Sequence, residues 1–278
     1  MPAVPAVLLR TAERELAGAG VASPRQDAEA LLDHVLGGTA RFTLTAVPPE
    51  DSARYRDLVH RRVGREPLQH ILGVAGFRRL TLAVGPGVFV PRPETESLVG
   101  WALSLLAGRS APLVVDLCAG TGAIGLAVAA EHPGARVHAV ELDGAALGWL
   151  RRNAAAWPEV SVVRVDATDP ATLRELDGTV DLVLANPPYV PDGTPVPPEV
   201  DHDPAIAVWG GPDGLTTVRK VSVRAAALLR PGGWFGVEHD ETRGAEARAI
   251  LAAAGLVAAR THADLAGRPR FSTARRER

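Results

Sequence analysis

Val115-Asp116-Leu117-Cys118-Ala119-Gly120-Thr121-Gly122-Ala123-Ile124-Gly125 is the stretch whose reading decides the fold. It closes an apolar run that begins at Leu113, a composition that suits a strand buried on both faces. The glycines then open a helix behind a tight turn and let something small approach the backbone closely. Outward from this point the same alternation recurs. Further apolar runs lie at Val137-His138-Ala139-Val140, Val160-Ser161-Val162-Val163, Leu182-Val183-Leu184 and Trp234-Phe235-Gly236-Val237, with helical segments between them. Strands spaced by helices predict a doubly wound α/β domain around a parallel sheet. Beyond the fifth run the pattern predicts a helix from Glu246 to Ala254, a strand from Leu256 to Arg260 and a last strand from Phe271 to Ala274.

Upstream the periodicity is helical. Ser23-Pro24-Arg25-Gln26 reads as a capping box with Pro at the first helical position, followed by an apolar stripe of Ala28, Leu31, Leu32, Val35 and Leu36 and a stop at Gly37-Gly38. Leu8, Leu9, Ala12 and Leu16 predict a helix before it, and Tyr55, Leu58, Val59 and Val63 one after it, with Pro48-Pro49 between. Residues 1–75 are therefore expected to form a small helical bundle. Its nine arginines balance nine acidic residues, so a protein partner suits it better than nucleic acid. Leu80, Leu82 and Val84 alternate in β fashion and meet Gly85-Pro86-Gly87, which predicts a hairpin or extended linker over 76–90. The remaining residues, 91–278, form the α/β domain.

The bulk properties narrow the class. With 278 residues and 46% hydrophobic content the chain has material for two packed domains. A formal net charge of -2 argues against an electrostatic grip on long nucleic acid. Cys118 is the only cysteine, and no Cys/His group has structural zinc spacing, so a reducing, cytoplasmic setting is expected. No basic flank precedes an apolar h-region and no 18-residue apolar run occurs, so neither export nor a membrane span is expected. The excess of arginine over lysine is read as genome composition.

Gly120 to Gly125 matches G-x-G-x-x-G, which raises a dinucleotide reading. A pyrophosphate, however, needs a helix N-terminus free of nearby anions, and Asp116 stands four residues before Gly120. S-adenosylmethionine has no phosphate, and its sulfonium and ammonium gain from a carboxylate in a partly desolvated pocket. Glu141, ending the second strand, is placed to accept from both ribose hydroxyls. Asp166, read as the end of the third strand, and Ala167 are placed to meet the adenine. Asp116, Ala119, Gly120, Thr121, Gly122, Glu141, Asp166 and Ala167 are thus the candidate cofactor residues, with Asn186 at their edge.

The fourth strand runs into Asn186-Pro187-Pro188-Tyr189. Two prolines without N–H donors hold the neighbouring carbonyls fixed and outside any ladder. The Asn186 side-chain oxygen and the Pro187 carbonyl can accept the two hydrogens of a planar –NH2 and turn its nitrogen toward a methyl sulfonium. Acceptors on those hydrogens push electron density onto the nitrogen and stabilise its developing positive charge. Tyr189 can stack on the planar group. Asn186, Pro187 and Tyr189 are the candidate catalytic residues, and Pro188 joins them in the substrate site. Methyl transfer of this kind asks for no metal.

These residues resemble the protein-(glutamine-N5) methyltransferases of the HemK/PrmC family, over nearly the whole chain. The resemblance rests also on Pro67-Leu68-Gln69-His70-Ile71-Leu72-Gly73, on Val90-Pro91-Arg92-Pro93-Glu94-Thr95-Glu96 and on Gly210-Gly211-Pro212-Asp213-Gly214-Leu215. It implies a Rossmann-like class I methyltransferase sheet, S-adenosylmethionine as donor with S-adenosylhomocysteine as product, and the glutamine of the Gly-Gly-Gln loop of class 1 peptide chain release factors as acceptor. It implies that the helical bundle engages the release factor, that Glu94 and Thr95 line the pocket from the start of a helix, and that Phe89 meets the cofactor. A monomer is expected. Two departures, Asp203-Pro204-Ala205-Ile206 and Glu238-His239-Asp240-Glu241, are read as lying outside the chemistry. The competing readings are a ribosomal-protein glutamine as acceptor, an adenine-N6 methyltransferase using the same loop, an oxidoreductase read from the glycines alone, and an inactive binding module. The absence of a basic surface weighs against nucleic acid, and Asp116 and the Asn186 loop weigh against the last two.

Overall fold

The computed structural model describes residues 3–278, so Met1 and Pro2 of the expected bundle lie outside the described residues. The chain divides into two units, one of residues 1–74 and 197–202, the other of 75–196 and 203–278.

Proline sets the start of the three longer helices of the first unit. α1 (Pro5–Gly18), α2 (Pro24–Val35) and α3 (Pro49–Val63) each carry one in the first turn, where its missing N–H would have had no partner anyway. A short α4 (Leu68–Leu72) stops at Gly73, whose φ of 74° is left-handed. Leu8, Leu9, Ala12 and Leu16 of α1 pack with Leu31 and Leu32 of α2 and with Tyr55 and Val59 of α3. The Tyr55 hydroxyl is buried there and donates to the Ala28 carbonyl at 3.1 Å. The expected capping box is not made. Ser23 has ψ 60° and its side chain caps nothing, because that backbone is not the extended one that aims a capping oxygen into the first turn. The segment 197–202 completes the unit: Glu199 accepts from Arg62 Nη2 at 2.9 Å and from Arg65 Nε and Nη2 at 2.8 and 2.6 Å. Arg62 Nε in turn donates to Asp27 at 2.7 Å.

The second unit begins with a hairpin of β1 (Val74–Phe77) and β2 (Leu80–Ala83). Its turn is Arg78-Arg79, with Arg78 at φ 51°, and not Gly85-Pro86-Gly87 as the sequence suggested. The left-handed Arg78 is held by its partners: its N–H donates to Glu96 at 2.9 Å and its guanidinium forks onto Glu131 at 2.6 and 2.9 Å. Next come α5 (Glu96–Leu106), β3 (Leu113–Leu117), α6 (Ala123–Glu131), β4 (Arg136–Val140), α7 (Gly144–Ala154), β5 (Val160–Val163), β6 (Val180–Ala185), α8 (Ala205–Val208), α9 (Thr216–Leu228), β7 (Leu229–Glu238), α10 (Gly244–Ala253), β8 (Leu256–Ala263) and β9 (Pro269–Arg276). Gly85 is explained by α7: a Cβ there would stand 2.5 Å from the Trp149 ring.

The strands form one seven-stranded sheet in the order β5-β4-β3-β6-β7-β9-β8. β5 to β7 are parallel, and β9 enters antiparallel between β7 and β8. The period-2 alternation of each strand feeds two cores. Val114, Val137, Ala139, Leu182 and Leu184 pack with α5, α6 and α7 on one face, while Leu113, Val115, Leu117, Val180 and Val183 pack with α9 and α10 on the other. Chain order reverses direction beside β3, between β4 and β6, which leaves a crevice past the carboxyl ends of these strands, the usual ligand site of an open α/β sheet. Among the described residues no helix is long and apolar enough to cross a membrane.

Candidate functional site

The crevice is walled by the loops that leave the carboxyl ends of the parallel strands. After β3 the backbone turns left-handed at Cys118 (φ 63°), Gly120 (φ 55°) and Gly122 (φ 87°) before α6 begins. A Cβ on Gly122 would meet Leu150 at 2.6 Å, whereas one on Gly120 would meet nothing within 4 Å. Gly122 is thus demanded by packing, and Gly120 leaves open space beside its backbone.

Asp116 is the penultimate residue of β3, at the carboxyl end of the strand. It shares the face of Val114, the one that α6 covers, and is fully buried at 0% exposure. Its Oδ2 accepts the Gly125 N–H at 2.9 Å, which fixes the first turn of α6. Its Oδ1 is buried with no hydrogen-bond partner among the described residues. Burial pushes this carboxyl up to about 7, against the opposing Gly125 hydrogen bond. An unpaired buried acceptor asks for a donor, and an ammonium-bearing ligand supplies one; the residues present fit such a group.

Glu141 comes directly after β4. Its Oε2 accepts from Gly120 at 2.8 Å and its Oε1 from Asp143 at 2.8 Å, so one carboxylate ties the glycine turn to the start of α7. Each oxygen keeps a lone pair for a hydroxyl. Burial raises its pKa, opposed by these backbone bonds. Asp166 is not at the end of a strand: β5 stops at Val163. The Asp166 Oδ1 is taken by Thr168, whose N–H and hydroxyl both donate at 2.8 Å, while Ala167 is buried in the core beneath. Thr121 is buried and its carbonyl accepts from Asn153 at 3.0 Å; Ala119 is buried, its N–H bonded to Val140.

Asn186 to Tyr189 come after β6, whose Ala185 lies in register with Leu117 of β3. The Asn186 Nδ2 donates to the Thr95 hydroxyl at 3.3 Å, which leaves Oδ1 as an acceptor. The loop is clamped from behind by 208–214. Val190 bonds Val208 at 3.0 Å, Gly210 bonds Val190 at 2.8 Å, and Cβ atoms on Gly210 and Gly214 would stand 2.6 Å from the Pro188 carbonyl and 2.3 Å from the Tyr189 carbonyl. The two glycines let one backbone lie directly on the other. Tyr189 donates its hydroxyl to Glu238 Oε1 at 3.3 Å; burial raises the phenol's pKa.

Thr95 does not cap α5, although it stands at the cap position; it is buried at the Asn186 side chain. Glu94 accepts from Arg268 at 3.0 Å. Phe89 is covered by the Arg92 guanidinium at 4.8 Å, and Arg92 also donates to buried Asp203 at 3.1 Å. Glu238 thus stands beside Tyr189 of the loop and Asp203 beside Arg92, two segments that the sequence reading set apart from the chemistry. Glu238 is 1% exposed and held up to about 7 by burial. It ends β7 at the same edge as Asp116, Glu141 and Asn186, and that shared position was the signal that would have found it.

Residues 7–73 match the PrmC N-terminal domain family and residues 86–197 the methyltransferase small domain family. The release factor glutamine methyltransferase of Mycolicibacterium smegmatis is 50% identical over 96% of both chains. That of Streptomyces coelicolor is 51% identical over 95% of both, and that of Deinococcus radiodurans 40% identical over 97% of both. Among solved structures, the hMettl16 catalytic domain in complex with MAT2A 3'UTR hairpin 6 superposes with a TM-score of 0.55 at 16% identity over 82% of each chain, a likeness of fold. With relatives this similar over nearly their full length, the chain belongs to the release factor glutamine methyltransferase family.

Proposed function

We propose that the protein transfers a methyl group from S-adenosylmethionine to the side-chain amide nitrogen, N5, of the glutamine in the Gly-Gly-Gln loop of peptide chain release factors. The observation that carries the reading is the Asn186 loop, an array of acceptors held stiffly against a glycine turn at the carboxyl edge of the sheet. S-adenosylmethionine, when bound, supplies an electrophilic methyl on a sulfonium. Asp116 and Glu141 are the residues to hold it, the first through its unpaired Oδ1 toward an ammonium and the second through its free lone pairs toward the ribose. Asp166, Ala167, Ala119, Gly120, Thr121 and Gly122 complete that side, with Thr95 and Phe89 opposite.

The chain's own part in the reaction is orientation and charge. Asn186 Oδ1 and the Pro187 carbonyl accept the two amide hydrogens, and the nitrogen between them faces the methyl. Both acceptors act more strongly as positive charge develops on that nitrogen, which is where binding must increase for the rate to rise. Pro188 and Tyr189 close the acceptor side, and Glu94 borders it. The helical unit, whose charge is balanced, is the surface we assign to the release factor, with the protein acting as a monomer in the cytoplasm.

The test is to incubate the protein with labelled S-adenosylmethionine and a bacterial release factor, beside its Gln→Ala variant in the Gly-Gly-Gln loop, and to locate the label by peptide mass spectrometry. Label on that glutamine alone is the expected result. Transfer instead to a ribosomal protein or to DNA would keep the chemistry and overturn the acceptor.

A further inference from the structure

We infer that Glu238 is a positioning residue that tethers the Tyr189 ring, and that the tether holds this ring as a fixed wall on the acceptor side of the Asn186 loop. The inference rests on the proposed glutamine methylation and adds to it a residue, outside the loop, on which the rate depends.

The main chain of Tyr189 is already held, because Gly214 lies where a Cβ would stand 2.3 Å from its carbonyl. The side chain is a separate matter: two torsions join the ring to that backbone, and the residue is partly exposed. The far end of the ring is fixed by its hydroxyl, which donates to Glu238 Oε1 at 3.3 Å. The sheet register brings the two together. Ala185 of β6 pairs with Val237 of β7, so Glu238 stands level with Asn186, one strand away at a spacing of roughly 4.8 Å. The tyrosine side chain thus reaches from the loop after β6 to the end of β7, and β7 lies on the side of β6 away from β3 and its cofactor residues. A planar amide held by Asn186 and Pro187 then meets a ring secured at both ends, with little freedom left to lose when the amide arrives.

For stability alone the pair is a poor choice. Glu238 is 1% exposed, and its Oε2 has no hydrogen-bond partner among the described residues. Arg270 on β9 faces the carboxyl, but its guanidinium is shared with Asp264 and Glu241 at 3.5 and 3.6 Å, and Glu94 opposes a charge there. Burial holds the carboxyl up to about 7. A carboxyl oxygen accepts in the neutral and the ionised form alike, so the tether needs no charge. Burying a carboxyl with one oxygen unpaired costs stability that an apolar pair of the same shape would not. A pair the fold can do without, placed level with Asn186, is accounted for by what it does to the ring.

Tyr189→Phe keeps the ring and removes the donor, Glu238→Leu removes the acceptor, and Glu238→Gln keeps a carbonyl oxygen for the hydroxyl. These full-length variants and the double variant Tyr189→Phe/Glu238→Leu are assayed with S-adenosylmethionine and a bacterial release factor, and their Tm is recorded. Tyr189→Phe and Glu238→Leu should each lower kcat by about tenfold. The double variant should lose no more than either, since both changes cut the same bond. Glu238→Gln should stay within about threefold of wild type, and cofactor affinity should move by less than about twofold throughout. The Tm of the double variant should equal or exceed that of wild type, because both partners have become apolar together. Losses that multiply to about a hundredfold in the double variant overturn the tether, as does a wild-type rate in Glu238→Leu or a Glu238→Gln as slow as Glu238→Leu. A double variant that loses Tm along with rate makes the pair a packing element and overturns it too. Should Glu238→Leu fail to fold, Tyr189→Phe decides alone, and a wild-type rate there overturns the tether. Wild-type protein that labels no release-factor glutamine overturns the functional reading and the tether with it, whereas an active wild type with multiplying losses overturns the tether only.

Discussion

At the scale of the residue, Asn186 and Asp116 separate two kinds of contribution. Asn186→Ala removes an acceptor that matters most when charge develops on the amide nitrogen, so kcat should fall by about a hundredfold, while cofactor affinity, measured by calorimetry, should move by less than about twofold. A mutant with the wild-type rate would mean that Pro187 alone orients the amide. Asp116 gives a pH signature. Its folded pKa is about 7, above the ordinary carboxylate value of about 4, so the folded state holds this proton more tightly than the unfolded one. That contribution to stability is full below about pH 4 and is lost as pH rises through about 7. Asp116→Asn keeps an acceptor for Gly125 and never ionises, so its Tm without cofactor should gain on wild type between about pH 5 and pH 8. A constant Tm difference across that range would show that the ionised carboxyl is not penalised in the fold. The same variant should weaken S-adenosylmethionine binding by about tenfold, since it loses a charge-assisted partner for the ammonium. Both residues were legible in the sequence because each interrupts or ends an apolar run. Glu238 was set aside because its segment was judged by its likeness to a motif; the structure puts it at the end of β7, bonded to Tyr189.

At the scale of the element, the loop after β6 owes its form to the segment behind it. Gly214 has φ 72° and lies where a Cβ would stand 2.3 Å from the Tyr189 carbonyl. Gly214→Ala therefore meets both a backbone penalty and a backbone clash, and the cheapest relief is to move the loop. The expected outcome is a kcat loss of at least about tenfold, because misplacement by an ångström already costs a hundredfold in well-oriented reactions, together with a lower Tm. Gly193, in the same loop with φ 77° but no atom within 4 Å of a Cβ, is the control: Gly193→Ala should lower Tm modestly and spare kcat. Equal kcat losses in the two would mean that strain, and not contact, governs the loop. The strands and helices themselves were readable because their periodicities are strong. Two details were not. β5 ends at Val163 because its only neighbour, β4, ends opposite at Val140, so Asp166 falls in a turn although Val165 prolongs the apolar pattern. The hairpin turns at Arg78 because Glu96 and Glu131 hold it there, and partners that distant in sequence leave no local trace.

At the scale of the whole molecule, the two units are not two successive halves of the chain. Residues 197–202 belong with the helices although the chain on either side of them belongs with the sheet. Their anchor is Glu199, whose pKa is lowered to about 2 by Arg65 and Arg62 against the cost of burial. This contribution to stability is present above about pH 4.5 and is lost as pH falls toward 2. Glu199→Gln leaves Arg62, only 8% exposed at its side chain, with Asp27 as its one remaining carboxylate, and should destabilise the helical unit by about 1.5–3 kcal/mol through the lost charge-assisted hydrogen bonds. Hydrogen exchange in α1 to α3 should report this; unchanged protection there would show that the segment merely rests on the helices. Nothing in the sequence marked 197–202 for the first unit, since a single carboxylate in a proline-rich stretch carries no periodicity.

The place of β9 has a consequence for how the chain comes to be folded. β9 lies between two strands that both precede it in sequence, β7 and β8. While synthesis has not yet reached Pro269, β7 shows a bare row of N–H and C=O groups and β8 has nothing to pair with. Such an edge is a template for pairing with other chains, and domains emerge from the ribosome N-terminal part first. The parallel half of the sheet can form as it emerges, but the antiparallel half must wait. For that interval a nascent chain is exposed to association with its neighbours on the same message, and arrival of β9 ends the exposure in a single addition.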